Sequence, residues 1–196
     1  GKSFRIALMF SLVFSFFEIA EGHMHGMEVV KHQPAKAAAM ESHWTTMKNA
    51  PMYLITIPDE KNERNLVEIL PVPGMMSFMF HGDFNAEVKG LKDFPKEDRP
   101  PVWIPFIGFR LMVGLGMLFA ALTALGFLLR KNIENQKLYL LAMLFSIPLP
   151  YLTCELGWML TEVGRQPWIV YGVMRTSDAV SKIPASHVAV SLAAFI

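Results

Sequence analysis

The chain has 196 residues, 53% of them hydrophobic, with a mean hydropathy of +0.34 and a formal net charge of +1. That is more apolar than a soluble domain of this size needs, and no excess of positive charge points to a nucleic-acid partner. The single cysteine, Cys154, excludes a disulfide framework.

The apolar residues come in runs with a polar block between them, so an all-α fold is expected: a multi-pass transmembrane helix bundle with a long extracytoplasmic loop. Most of the fourteen methionines suit adaptable packing, with one or two available as thioether ligands. A first transmembrane helix is expected over 1–20, where the run from Phe4 to Ala20 spans roughly 25 Å against a hydrocarbon core of about 30 Å. Glu18 and Glu21 follow it instead of a small-residue cleavage site, unlike a signal peptide. A start without methionine and an end inside an apolar run predict an internal piece of a larger protein. His23 and His25 stand two apart with no third ligand nearby and read as loop histidines.

Residues 21–102 are expected to form the extracytoplasmic loop, too long for a plain connection. Within it, 33–41 predicts a short helix: proline near the start, then good helix formers. Lys36 and Glu41 are five apart, roughly 140° around that helix, so they do not make an i,i+4 pair. Taken alone, the segment is a surface helix with solvated charges.

The next span covers 103–129, roughly 40 Å long, with Trp103 at an interface. Arg110 is its lone charge and wants an anion or carbonyls. Gly116 and Ala120 form a small-xxx-small pair open to a neighbouring helix or a flat macrocycle, and Met112 in isolation reads as packing. A basic turn at 130–137 is assigned to the cytoplasm together with Lys2 and Arg5. The third span, 138–163, carries Pro148 and Pro150 and is expected to kink there. An extracytoplasmic connection at 164–185 and the start of a further span at 186–196 complete the chain. Arg165, Arg175 and Lys182 then fall outside, against the charge rule, and His187 is read as structural.

Within 154–168, Glu155, Trp158, Met159 and Glu162 share one helix face. Ionisable groups at membrane depth are functional candidates. Glu155 and Glu162 lie about two turns, roughly 10 Å, apart, too far to share a proton, so separate roles are expected. Glu155, the deeper, suits a protonated hydrogen-bonding group or proton relay.

Gly157-Trp158 and the run Glu162-Val163-Gly164-Arg165-Gln166-Pro167-Trp168 resemble the signature of subunit I of cytochrome bd-type quinol oxidases. Phe109-Arg110-Leu111-Met112-Val113 is similar to the family's Phe-Arg-Ile-Met-Val motif. Residues 33–41, 90–95 and 99–101 resemble the start and end of its quinol-binding loop in the short version. The resemblance implies that Lys36 and Glu41 contact quinol, with Glu41 accepting a proton. It implies Met112 as an axial ligand of low-spin haem b with Arg110 beside that haem, and Glu162 as ligand or neighbour of high-spin haem b. Trp158 is implied close to the haems, and Glu155 and Arg165 are grouped with the same cofactor site.

Haem d or a further haem b, ubiquinol or menaquinol, and dioxygen as acceptor follow from the resemblance. So do a second membrane subunit, small accessory subunits, and a place in the bacterial cytoplasmic membrane. The family's histidine ligands are expected on earlier helices, so this piece alone is not expected to turn over. A non-catalytic anchor, or a transporter subunit with buried charges lining a path, is the alternative, separated by the visible absorption of haem.

Overall fold

The computed structural model describes residues 1–195; Ile196, the last residue of the expected final span, lies outside them. The fold is mostly helical, and three helical stretches are long and apolar enough to cross a membrane: Lys2–His32, Trp103–Leu129 and Lys137–Gly164. Helix α1 (Lys2–His32) does not stop near Ala20 as expected. It runs on for three further turns, so His23 and His25 stand on a helix and not in a loop. No proline interrupts 21–32, and exposed pairs such as Lys31–Glu28 (2.6 Å) support the polar extension. The helix ends where Pro34 forces Gln33 out of helical geometry (φ −139°, ψ 63°), and α2 (Pro34–Met40) starts with that proline in its first turn.

The expectation of an all-α chain needs correction. The polar block contains β1 (Met47–Lys48), β2 (Met52–Asp59), β3 (Arg64–Val72), α3 (Met75–His81) and β4 (Glu87–Val88). β2 and β3 form an antiparallel hairpin, and β1 pairs with β4. Tyr53, Ile55, Thr56 and Ile57 on one strand, Val67 and Ile69 on the other, are residues that favour a pleated ribbon. The turn between them closes on Asn62, whose side chain donates to Asp59 (2.6 Å).

Helix α4 (Trp103–Leu129) matches the expected span. Pro105 falls in its first turn, where a missing N–H breaks nothing, and Arg130 caps its last turn by donating to the Phe127 carbonyl (2.8 Å). The third span is two helices, α5 (Lys137–Ser146) and α6 (Leu149–Gly164). The break falls at Ile147-Pro148, where the prolines withdraw two helix donors. After α6 come a small hairpin, β5 (Trp168–Val170) with β6 (Met174–Arg175), and the apolar helix α7 (Ala185–Phe195).

Two ends of the bundle can be told apart. At one, Leu8, Ile133 and Tyr139 form a buried cluster, and Arg5 lies 3.9 Å from Glu134. The start of α1 and the basic turn therefore meet. At the other end, α2 is sunk against α4. Its alanines are what permit this: Ala38 and Ala39 pack with Trp44, Leu91, Val102 and Phe106, while Ala37 joins Ala50, Met76, Phe80 and Val88. Gly90 lets the chain cross the Trp44–Thr45 backbone, where a Cβ would come within 2.5 Å.

Candidate functional site

Glu41 ends α2 and is buried, its side chain 3% exposed. Arg110, seven residues into α4, donates from Nη2 to Glu41 Oε2 at 2.5 Å and from Nη1 to the Tyr53 carbonyl at 2.8 Å. The anion and the carbonyls that a lone membrane arginine requires are thus supplied by the polar block. The guanidinium also stands 5.4 Å from the centre of the Phe106 ring. Burial pushes the Glu41 carboxyl above its ordinary range, and the Arg110 charge opposes that shift without cancelling it. A buried carboxylate with a raised pKa is chemically able to take up a proton.

Lys36 lies on the same short helix, also buried, but turned toward α6. Its aliphatic stem covers Gly164, where a Cβ would meet Lys36 Cγ at 3.2 Å. Burial lowers the Lys36 pKa, Arg165 lowers it further, and Glu162 works the other way. Lys36 therefore shares one electrostatic patch with Glu162 and Arg165, although 126 positions of sequence separate Lys36 from Glu162.

The run after α6 is tied down residue by residue. Arg165 donates from Nη2 and Nε to Glu162 Oε2 (2.5 and 3.1 Å), and from Nη1 to the Ile169 carbonyl (3.3 Å). Gln166 donates to the Glu162 carbonyl (3.2 Å) and accepts from the Thr176 hydroxyl (2.6 Å). The Pro167 carbonyl accepts from the Thr176 N–H (2.8 Å). Trp168 lies under Arg175, 4.8 Å from its guanidinium, and Arg175 pairs with Asp98 (2.5 Å). Arg175, unexplained by charge distribution alone, locks the connection after α6 to the end of the polar block.

Met112, two residues beyond Arg110, is half-buried and faces α6: a Cβ at Gly157 would sit 3.1 Å from its sulfur. Gly108 makes a second close approach, 3.2 Å from the Leu156 carbonyl on the same measure. The small residues at this crossing are therefore Gly108 and Gly157. Gly116, expected at a helix contact, meets no atom within 4 Å among the described residues, while Ala120 is buried. On the outer side of α6, Glu155 is exposed and Trp158 is 63% exposed; neither is drawn to the Lys36–Glu162–Arg165 patch.

The donors present suit a haem. The Met112 thioether is a soft donor of the kind that holds haem iron. Both Arg165 bonds fall on Glu162 Oε2, so Oε1 accepts no hydrogen bond from the described residues. Arg110 Nε is buried and has no acceptor among the described residues, a donor suited to a carboxylate such as a haem propionate.

Sequence patterns did not reveal the Arg110–Glu41 pair, the Lys36–Gly164 contact or the Met112–Gly157 contact. The glycines inside the Gly157-Trp158 and Gly164-Arg165 pairs were the available signal, since each leaves room for a specific long side chain.

Comparison with known proteins finds relatives along the whole chain. The chain is 36% identical over 207 residues to the cytochrome bd ubiquinol oxidase subunit 1 of Bacillus subtilis (strain 168), covering 99% of this chain and 44% of that protein. It is 27% identical to the cytochrome bd-II ubiquinol oxidase subunit 1 of Escherichia coli (strain K12), over 97% of this chain and 50% of that one. The bd oxidase structure from Geobacillus thermodenitrificans superposes with a TM-score of 0.83 at 30% identity, covering 99% of this chain and 44% of that one. The chain thus spans half or less of the length of these relatives. Since the sequence profile of cytochrome bd terminal oxidase subunit I matches residues 1–196, the chain belongs to that family.

Proposed function

We propose that this chain is the quinol-side part of a haem-containing membrane oxidase subunit, in which quinol is oxidised and dioxygen reduced to water in bacterial respiration. The single observation that carries the reading is the burial of Lys36 and Glu41 on one short helix. One is held against Arg110, close to Met112, and the other against the Glu162–Arg165 patch. Quinol releases two protons with its two electrons. Glu41 accepts one of them, and its raised pKa brings it toward the pH at which such a base works best. Lys36 anchors the head group as a polar donor.

Met112 would hold low-spin haem b with Arg110 nearby, and Glu162, oriented by Arg165, would hold or adjoin high-spin haem b. When bound, these groups supply one-electron transfer from quinol toward dioxygen. Trp158 and Glu155, exposed on the same α6 face, border the cofactors or the helices that complete the subunit. The third haem is haem d or a further haem b, the quinol ubiquinol or menaquinol. A second membrane subunit and small accessory subunits complete the complex. The loop side faces outward, because the opposite end of the bundle gathers Arg5, Arg130, Lys131 and Lys137.

The test is steady-state turnover of the complete oxidase. Glu41→Ala and Lys36→Ala should each lower quinol turnover by about a hundredfold, the scale of a lost general base or anchor. Oxidation by dioxygen of an enzyme already reduced should be spared. Quinol kinetics unchanged in both variants would reduce α2 to a structural plug. Met112→Leu holds the volume and removes the sulfur. The low-spin haem b spectrum should be lost or its potential lowered, with the other haems retained, as reduced-minus-oxidised spectra would record. A wild-type spectrum would return Met112 to packing against Gly157.

A further inference from the structure

Glu41 is followed by a residue in an unfavourable conformation. Ser42 has φ 51°, in the left-handed region, and is fully buried. A non-glycine residue there is strained and persists only when its surroundings hold it. The hold comes from β3. The Asn65 side chain accepts from the Ser42 hydroxyl (2.7 Å) and from Trp44 Nε1 (3.1 Å), and donates to the Ser42 carbonyl (3.1 Å). Trp44 Nε1 also reaches Ser42 Oγ at 3.1 Å, so the three side chains close a ring. Asn65 is steadied in turn by donating to Glu68 (2.7 Å). The partner strand grips the other half of the ion pair, since the carbonyl that accepts from Arg110 belongs to Tyr53 on β2.

We infer that Asn65 is a positioning residue for Glu41: the β2–β3 hairpin acts as a clamp that holds the turn after α2, and Arg110 opposite it, so that the Glu41 carboxylate stays in register. The hairpin is otherwise poorly covered. Leu54, Ile55, Leu66, Ile69 and Leu70 are all exposed, so burial of its own apolar residues does not explain its placement. Its firm attachments to the site are polar and few, and Asn65 supplies three of them. Asn65 lies 24 residues beyond Glu41 in the chain and, among the described residues, bonds to Ser42, Trp44 and Glu68 and not to the Glu41 carboxylate, so it acts through Ser42 and not on the substrate.

The inference rests on the quinol-site reading of Glu41, and the experiment separates the two. In the complete oxidase, Asn65→Ala should lower kcat for quinol about tenfold, the scale of a buried hydrogen-bond set left unsatisfied. KM should change little, because Lys36 holds its position against α6 independently. Haem spectra and the reaction of pre-reduced enzyme with dioxygen should stay as in wild type. Asn65→Asp keeps the acceptor oxygen for Ser42 and Trp44 and removes the donor to the Ser42 carbonyl, so it should fall between. It also carries the comparison if the alanine variant does not assemble. Adding Asn65→Ala to Glu41→Gln should cause little further loss, since the residue to be positioned is gone. Wild-type kcat in both Asn65 variants, with Glu41→Gln impaired, overturns the clamp alone. So does a loss that adds in full to that of Glu41→Gln. Wild-type turnover by Glu41→Gln overturns the quinol-site reading, and the clamp with it.

Discussion

Replacement of Arg110 by leucine is expected to disable quinol oxidation and destabilise the subunit together. The variant leaves Glu41 buried, 3% exposed at the side chain, with the cation it pairs with removed. Breaking a buried pair from one side costs about 3 kcal/mol or more, far above the worth of an exposed pair. The sign of the pH effect follows from the direction of the Glu41 shift. Burial already raises its pKa, and Arg110 is what lowers it, so losing Arg110 moves it further up. A raised carboxyl contributes stability that is fully present below the ordinary carboxylate range and is lost as pH rises through the folded value. In Arg110→Leu that loss should be larger and extend to higher pH. As a proton acceptor Glu41 works only when ionised, so the acid limb of quinol turnover should shift to higher pH as well. Arg110→Lys keeps a charge but not the fork that reaches both Glu41 and the Tyr53 carbonyl, and should give a smaller shift. Thermal unfolding of the purified complex at acid and neutral pH, beside a pH–rate profile, measures both. A wild-type profile in Arg110→Leu would mean that the pair does not govern Glu41.

Local chemistry explains which parts of the architecture could be read from sequence. The span 103–129 is visible because its apolar run is uninterrupted, and the break in the third span because proline removes helix donors wherever it stands. Pro34 likewise announces the start of α2. The continuation of α1 to His32 was hidden because a drop in hydropathy at Glu21 marks where apolar residues end, not where the helix ends. The β2–β3 hairpin was hidden because most of its apolar residues are exposed, so no clean alternation marks a buried face. The site itself depends on long-range pairing. Glu41 and Arg110 are 69 residues apart, and no periodicity joins them. The sequence offers Gly116 and Ala120 for a helix crossing, and only packing singles out Gly108 and Gly157 instead.

The Glu162 carboxylate is expected to be the most sensitive single group on α6. It orients Arg165 through one oxygen, keeps the other free of donors among the described residues, and is the anion that favours charge on the buried Lys36. Glu162→Gln keeps the shape and an acceptor oxygen for Arg165, but removes the second carboxylate oxygen and the negative charge. High-spin haem b should be lost or altered in reduced-minus-oxidised spectra, and dioxygen reduction should fall by about a hundredfold or more, the scale of a lost first ligand or its neighbour. Low-spin haem b, whose proposed ligand Met112 sits against Gly157 more than one turn away, should survive. Glu155→Gln is the control on the same helix: Glu155 is exposed and makes no ion pair among the described residues, so the variant should leave Arg165 and Lys36 undisturbed. The Lys36 pKa, already lowered by burial, should drop further in Glu162→Gln but not in Glu155→Gln. Differential labelling of Lys36 by an amine-reactive reagent across pH would detect that drop. If Glu162→Gln in the complete complex keeps every haem and full oxidase activity, the carboxylate serves only to hold Arg165, and the ligand to high-spin haem b lies elsewhere.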